Sequence, residues 1–331
     1  DKEQYTLEEL LDEDELVQEA KSLNPRLIEF LKRKENVEAL VRYMVVGVRG
    51  EVGDSGGRAG GDDDGDGDDG QPSSASGKRD DREGREGRGG RQGREGREDR
   101  EDREDREDRE VRDDGDDFLG RSSMDSLDSQ DIEQTTRAFK YPYTACEIFC
   151  CEVEGIYNTL LENEDVLALF FSILDRKTRP LNAILAGYFS RVMGALLARR
   201  SSDIVLYLQS NPEILNKLVY HVDTTSVAEV LARLAGADDP VGYCESPSVT
   251  WLATTDILQL LVKSLRNDTP SEGQANAAEV LAAIARSTAT QLTKSMANEV
   301  FMQELVDAAL SEHSGTAASH ALNVCLALLE P

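Results

Sequence analysis

The sequence predicts an all-α fold, arranged as an irregular armadillo/HEAT-like helical-repeat solenoid with a long disordered acidic insert. Apolar residues recur at spacings of three and four along most of the 331 residues. Capping residues and prolines divide these stretches at short intervals. No segment of four or more residues shows a convincing period-two strand pattern, so a sheet is not expected. Because no clean repeat period is visible, a globular helical bundle is the alternative arrangement.

The first fifty residues contain start signals for several short helices. Thr6 and Glu9 have the spacing of a capping box. Leu16 begins a second apolar pattern, and Asn24 followed by Pro25 has the form of a helix cap with proline at the first helical position. The next helix should bury Val37, Leu40, Val41 and Met44. We therefore expect brief helices packed in succession over residues 1–50.

Residues 51–135 are expected to be a disordered, low-complexity insert. Between Glu51 and Gly120 there are 26 acidic and 14 basic side chains, a local net charge of −12, and four consecutive Glu-Asp-Arg triplets. Such a segment buries too little apolar surface to offset the loss of chain entropy on folding.

After the insert, residues 136–331 are expected to form the helical-repeat remainder of the same domain. One apolar stripe has strict helical spacing and should lie wholly in the core. Its members are Leu181, Ile184, Leu185, Tyr188, Phe189, Val192, Met193, Leu196 and Leu197. Arg199 and Arg200 should end this helix, because cations complement its negative terminus.

The following helices are predicted from the same signals. Asn211 with Pro212 should start one helix, and Ser226 with Glu229 should cap the next. Further helices are expected near residues 256–265, 274–286, 292–310 and 316–329. The chain begins at Asp1 without a methionine and stops at Pro331, so we expect it to be part of a longer, C-terminally extended protein.

The charge balance and the cysteines exclude several classes of function. The net charge is −28, and without residues 51–120 it is still −28 + 12 = −16, which argues against nucleic acid as the main ligand. No apolar run has the length of about 20 residues needed to span a membrane. The odd and sparse cysteine set predicts reduced thiols inside the cell. These cysteines are Cys146, Cys150, Cys151, Cys244 and Cys325.

No motif in the sequence carries catalytic or metal chemistry. An acidic stretch starting at Asp62 resembles the first half of a calcium loop but has Ser73 where a glutamate is required. The cysteines at 146, 150 and 151 lack the spacing of a zinc site and are interpreted as structural thiols. The phosphatase metal motifs and the common hydrolase and nucleotide-binding motifs are absent. We therefore expect no enzyme activity and no cofactor.

One local cluster of positive charge departs from the acidic balance. Arg176, Lys177, Arg179 and Arg191 surround the start of the helix that follows Pro180. The simpler interpretation is that they are solvated residues near a helix end. The sharper one is a contact surface for an acidic partner protein.

Three stretches carry a resemblance to a known family: Leu10–Gln18 (LLDEDELVQ), Lys140–Cys151 (KYPYTACEIFCC) and Pro180–Arg191 (PLNAILAGYFSR). Together they resemble the SAPS-domain family, the regulatory subunits of protein phosphatase 6 and their yeast counterparts of the Sit type. The resemblance implies a non-catalytic helical scaffold that binds a serine/threonine phosphatase catalytic subunit and directs its substrate choice. It also implies roles in cell-cycle and nutrient signalling, in cytoplasm and nucleus. The alternative is an armadillo-like adaptor or transport scaffold without a phosphatase partner.

Overall fold

The computed structural model describes residues 5–47, 129–236, 246–266, 269–287, 290–310 and 315–329. These residues form α-helices and one short 3₁₀ helix, with no strand among them, which confirms the predicted all-α class. They belong to one compact unit made of residues 1–53 and 127–331. Most of the predicted disordered insert, residues 51–128, lies outside the described part of the chain.

The helix bounds follow the capping signals closely. The four N-terminal helices are α1 Leu7–Leu11, α2 Leu16–Lys21, α3 Pro25–Leu31 and α4 Lys34–Val46. After the insert come α5 Ser129–Cys150, α6 Glu154–Glu162, α7 Glu164–Phe171, the 3₁₀ helix Ser172–Asp175 and α8 Ala183–Ser210. The remainder is α9 Glu213–Tyr220, α10 Thr225–Leu234, α11 Pro247–Leu252, α12 Ile257–Lys263, α13 Ser271–Arg286, α14 Gln291–Met296, α15 Glu299–Ala309 and α16 Gly315–Leu329.

The N-terminal helices are capped by their own side chains. The predicted capping box is confirmed: the backbone N–H of Glu9 donates to the Thr6 hydroxyl at 3.2 Å, and the Thr6 N–H donates to Glu9 at 3.3 Å. Helix α2 ends with Leu23 in the left-handed region (φ 57°), and the Asn24 N–H returns to the carbonyl of Glu19. This is a Schellman ending, which reverses the chain within two residues before α3 begins.

Contacts with α5 fix the N-terminal helices to the part of the chain after the insert. Arg137 makes an ion pair with Asp12 at 2.8 Å, and Lys140 makes one with Asp14 at 2.7 Å. The hydrogen bond from Lys140 lowers the pKa of Asp14 below its usual range. The Tyr141 hydroxyl donates to Asp12 at 3.0 Å; burial, and after it this hydrogen bond, raises the Tyr141 pKa to about 12. The two sequence blocks therefore fold as one body.

Helix α5 begins at Ser129, earlier than the predicted insert boundary at residue 135. Glu133 and Arg137 form an i,i+4 ion pair at 2.7 Å, and Arg137 also reaches Asp12 on the chain before the insert. Such pairs support a helical turn that is poor in apolar residues. The insert boundary at residue 135 stays a prediction.

The helices after α5 pack neighbour to neighbour in rows. Helices α5, α8, α10, α13 and α16 form one row, in which each helix contacts the next. The 3₁₀ helix, α9, α12 and α15 form a second row, and α11 and α14 pack against α8 and α13. Neighbour-only contacts are typical of a solenoid. The arrangement is compatible with the armadillo/HEAT-like prediction, which stays a prediction.

The core is continuous and is centred on aromatic residues of α7 and α8. The Phe170 and Phe189 rings lie 5.0 Å apart, and Phe171 stacks on Tyr207 at 5.4 Å. Such pairs add to the free energy of burying apolar surface. This cluster joins both halves of α8 to α7, so the break in α8 at Arg200 (φ −135°, ψ 36°) lies over a packed core. The predicted helix end at Arg199 and Arg200 thus corresponds to a kink.

The predicted stripe on α8 is correct at its centre and wrong at its edge. Leu185, Phe189 and Val192 are buried, as predicted. Ile184, however, is 53% exposed, and Leu181 is buried although it precedes the helix. The Ile184 prediction was wrong because the stripe is wider than the arc of α8 that its neighbours cover.

The predicted cap of α10 is also wrong. The helix begins at Thr225, and Ser226 and Glu229 do not form a capping box. Glu229 instead accepts a hydrogen bond from Ser190 of α8 at 3.3 Å. The hydroxyl of Thr224 accepts from the N–H of Leu181 at 2.9 Å. Thr224 and Glu229 therefore bond to other segments of the chain and do not cap α10 with their side chains.

The predicted helix over residues 292–310 is two helices. Helix α14 ends at Met296 and α15 begins at Glu299. Asn298 separates them, because its side-chain oxygen accepts from the N–H of Phe301 at 2.8 Å and caps α15.

Candidate protein-interaction surface

The described residues offer no constellation that suggests metal chemistry. They contain no group of three or more His, Cys, Asp or Glu side chains that could hold a metal ion. Among the same residues, no helix is both long and apolar enough to cross a membrane. The four predicted cations are the first candidate surface for a functional contact.

Three of these cations lie between the 3₁₀ helix and α8, and the first two are Arg176 and Lys177. Arg176 is half-buried and donates to the carbonyl oxygen of Val45 in the last turn of α4, at 2.6 Å. This contact places a cation at the negative end of α4. Lys177 is exposed and has no partner among the described residues. Of the pair, Lys177 is available to another protein, and Arg176 joins two parts of this one.

Arg179 is a structural residue of the α9–α10 junction. Its guanidinium donates to Asp223 at 3.0 Å and lies 4.5 Å from the centre of the Tyr220 ring. The side chain of Asp223 is only 2% exposed, whereas that of Arg179 is 25% exposed. Asp223 therefore depends on Arg179 for its charge compensation, because a buried carboxylate is costly without a partner.

Arg191 lies about 12 Å along α8 from its first residue, at the usual helical rise. It is paired with Glu147 of α5 at 2.5 Å. Its side chain is half-exposed, whereas Glu147 is mostly buried. The hydrogen bond that Arg191 donates to Glu147 raises the pKa of Arg191 above its ordinary value. The four cations predicted as one surface thus have separate surroundings, and three of them are bonded within the fold.

Helices α5 and α8 run side by side in the same direction. Glu147 pairs with Arg191. Two residues after the end of α5, Glu152 pairs with Arg199 of α8 at 2.6 Å, so residue numbers increase in the same direction along both segments. This pairing brings two outward-facing lines of side chains together, which we call the α5/α8 face. It comprises Phe139, Tyr143, Glu147 and Cys150 on α5, and Ile184, Tyr188 and Arg191 on α8.

The N-terminal half of the α5/α8 face is apolar and exposed. Phe139 is 61% exposed, Tyr143 51% and Ile184 53%. Tyr188 is half-buried beside them, and its pKa is raised mainly by burial and further by the nearby Cys146 thiol and Tyr143 hydroxyl. Exposed aromatic residues close together are the composition that interface centres favour. The ion pair of Arg191 and Glu147 borders this patch on the C-terminal side.

Sequence analysis missed this face. It placed Ile184 and Tyr188 in the core and did not consider Phe139 or Tyr143 as surface residues. The available signal was the spacing on α5, where Phe139, Tyr143 and Glu147 follow one another at i, i+4 and i+8 on the side opposite the buried Tyr141.

These features define an all-α protein with an apolar face suited to binding another protein. Residues 193–331 match the family model "SAPS", described as SIT4 phosphatase-associated protein. Residues 193–331 are therefore similar to the SAPS family, in agreement with the resemblance found in the sequence.

Curated proteins that the chain is similar to point the same way. The chain is 26% identical over 344 aligned residues to "Serine/threonine-protein phosphatase 6 regulatory subunit 2" of Mus musculus, covering 100% of this chain and 28% of that protein. It is 28% identical to "Serine/threonine-protein phosphatase 6 regulatory subunit 1" of Homo sapiens, over 58% of this chain and 23% of that protein. It is 26% identical to "Extragenic suppressor of kinetochore protein 1" of Schizosaccharomyces pombe, over 43% of this chain and 17% of that protein. The chain thus spans less than a third of each of these relatives, and no solved structure matches it significantly.

Proposed function

We propose that this chain is a non-catalytic regulatory scaffold that binds a serine/threonine phosphatase catalytic subunit of the protein phosphatase 6 type and directs its substrate choice. The observation that carries the proposal is the set of relatives named as regulatory subunits of that phosphatase. The family description names the same class of partner. Roles in cell-cycle and nutrient signalling, and a location in cytoplasm and nucleus, belong to the same proposal.

The α5/α8 face is the surface we propose for this contact. Its residues come from Lys140–Cys151 and Pro180–Arg191, two of the three stretches that carry the family resemblance, and from the neighbouring Phe139. The face combines exposed aromatic side chains with an ion pair at its border, as binding hot spots with a polar rim do. Lys177 remains the best candidate among the predicted cations for attracting an acidic partner.

Binding of the full chain to a purified protein phosphatase 6 catalytic subunit tests the proposal directly. The double variant Phe139→Ala/Tyr143→Ala should raise the Kd at least about tenfold, since hot-spot truncations cost more than about 1.4 kcal/mol. The matched control is Leu206→Ala on α8 beyond the kink, a side chain that is 61% exposed on another part of the chain. Circular dichroism should be unchanged in both variants, because none of the three residues is in the core.

The kinetics separate the apolar face from the charged residue. Truncation of the face should increase the dissociation rate, because short-range packing is lost. Lys177→Glu should lower the association rate at low salt and have little effect at high salt. If the control and the double variant bind alike, the contact lies elsewhere. If the wild-type chain does not bind the catalytic subunit, the function is wrong and the adaptor alternative replaces it.

A further inference from the structure

Helix α16 is apolar over a wider arc than its neighbours cover. Its sequence, Gly315–Leu329, contains no Asp, Glu, Lys or Arg. On its covered side, Ala321, Val324 and Ala327 belong to the core, and α13 and α15 are the helices that pack against α16. A surface helix normally has one apolar stripe and a charged opposite side, whereas a helix that is apolar around most of its circumference is normally buried. The uncovered side of α16 is therefore unusual for a surface in contact with water.

A line of leucines runs along this uncovered side. Leu322 is 63% exposed, Leu326 60% and Leu329 80%. Their spacing of i, i+4 and i+7 places them on one side of the helix, away from Ala321 and Val324. We call Leu322, Leu326 and Leu329 the leucine line. A single exposed leucine is ordinary, but several in a continuous apolar patch are typical of a surface that binds another protein.

The leucine line has the geometry that another helix can occupy. Within the row of helices, α10 contacts α8 and α13, and α13 contacts α10 and α16. Among the residues that the structure describes, α16 has a neighbour in this row on one side only. Helices pack through ridges of side chains three and four residues apart, which is the spacing of the leucine line. An amphipathic helix can therefore bind here through apolar side chains at matching positions.

The charge around α16 determines which helix fits this surface. Residues 298–331 contain no Lys or Arg, whereas α15 alone carries Glu299, Glu304 and Asp307. The whole chain has a net charge of −28. A second copy of the chain would bring the same acidic helices to the contact, and like charges would oppose it. A helix whose apolar side is bordered by Lys or Arg would be attracted instead.

We propose that the leucine line of α16 is a docking site for an amphipathic helix of a partner protein, apolar on one side and bordered by Lys or Arg. The three leucines supply the apolar contact, which sets the lifetime of the complex. The acidic side chains of α15 favour the approach of the basic helix. The leucine line shares no residue with the α5/α8 face, and the proposal is independent of phosphatase binding.

Binding of a labelled synthetic peptide to the full chain, followed by fluorescence anisotropy, tests the proposal. The probe is a helical peptide with leucines at i, i+3, i+4 and i+7 and lysines bordering them. Leu322→Gln/Leu326→Gln should raise the Kd of the probe at least about tenfold, because apolar anchors are lost while the charge is unchanged. Glutamine is a good helix former, so circular dichroism should be unchanged. The matched control is Leu206→Gln on α8, a side chain that is 61% exposed, and it should bind the probe like the wild-type chain.

Two further peptides separate the apolar contact from general attraction to an acidic protein. A scrambled peptide of the same composition keeps the charge without an apolar side, and it should bind at least about tenfold more weakly than the probe. A peptide with Glu in place of each Lys should bind more weakly at low salt, and the difference should shrink at high salt because exposed charges are screened.

Three results would overturn the proposal. The first is that the wild-type chain fails to bind the probe, or binds the probe and the scrambled peptide alike. The second is that the Leu322→Gln/Leu326→Gln variant binds the probe as tightly as the wild-type chain. The third comes from analytical ultracentrifugation: a wild-type dimer that the same double variant converts to a monomer would show that a second copy covers the leucine line.

Discussion

Replacing Arg179 should cost far more stability than its place in a loop suggests. Arg179 is the ion-pair partner of Asp223, whose side chain is 2% exposed. The second oxygen of Asp223 is buried and has no hydrogen-bond partner among the described residues. In Arg179→Ala the carboxylate would lose its charge compensation while remaining buried.

The expected loss follows from this geometry. Removing one partner of a buried ion pair costs roughly 3–5 kcal/mol. We expect the lower end, about 3 kcal/mol, because Arg179 itself is 25% exposed and water can partly replace it. Loss of the contact with the Tyr220 ring adds about 0.5–1 kcal/mol. The neighbouring Lys177→Ala removes an exposed cation and should change stability by less than about 0.5 kcal/mol.

Urea unfolding of both single variants, of Asp223→Asn and of the double variant Arg179→Ala/Asp223→Asn measures these quantities. Once the buried charge is removed, the loss of Arg179 should matter less, so the double variant should be about 2 kcal/mol more stable than additivity predicts. Additive effects, or equal effects of Arg179→Ala and Lys177→Ala, would refute the argument. A confirmed result also means that charge reversal at Arg179 cannot serve as an interface probe, whereas reversal at Lys177 can.

Three further predictions concern stability. Phe189→Ala should lower the free energy of unfolding in urea by about 3–5 kcal/mol, and Ile184→Ala by less than about 0.5 kcal/mol, although both residues belong to one apolar stripe. Equal losses would contradict the placement of Ile184 at the surface. Burial lowers the pKa of His221, so stability should be complete above about pH 6.5, where the unfolded chain is neutral too, and should fall as the pH decreases toward the folded-state pKa. His221→Gln should reduce the difference in unfolding free energy between pH 7.5 and 5.5, and an unchanged difference would show that other groups cause it. Leu23→Gly should raise the free energy of unfolding by about 0.5–1 kcal/mol. Glycine removes the strain of a leucine in the left-handed region, and this gain exceeds the entropy that glycine adds to the unfolded chain. A lower stability in the same urea assay would show that the packing of Leu23 matters more.

The sequence predicted the features that depend on neighbouring residues. A capping box at Thr6, a proline start at Asn24 and the buried side of α4 are each determined within four residues, and all three are present. The helical class follows from the same local signals. Failures began where a side chain has two possible partners. Glu229 has the spacing of a cap but binds Ser190 of another helix.

The candidate site could not be derived in the same way because it depends on distant parts of the chain. Asp223, the ion-pair partner of Arg179, lies 44 positions away in the sequence. Nothing near Arg179 in the sequence indicates that pairing. The exposure of Ile184 depends on how much of the surface of α8 is covered by α5 and α10. Helical periodicity in the sequence gives no information about that covered area. Periodicity gives the direction of the apolar side but not the width of the arc that neighbours cover.

The positions of the basic residues limit how this chain can bind a partner. Outside residues 51–120 the chain still carries a net charge of −16, so its few basic residues cannot generate a broad positive surface. Three of the four candidates, Arg176, Arg179 and Arg191, are bonded to groups within the protein. Affinity for a phosphatase subunit would therefore have to come mainly from desolvated apolar contact, for which the α5/α8 face supplies aromatic and aliphatic side chains. Charge at Lys177 would then affect the rate of encounter more than the lifetime of the complex, because long-range attraction acts before the short-range contacts form.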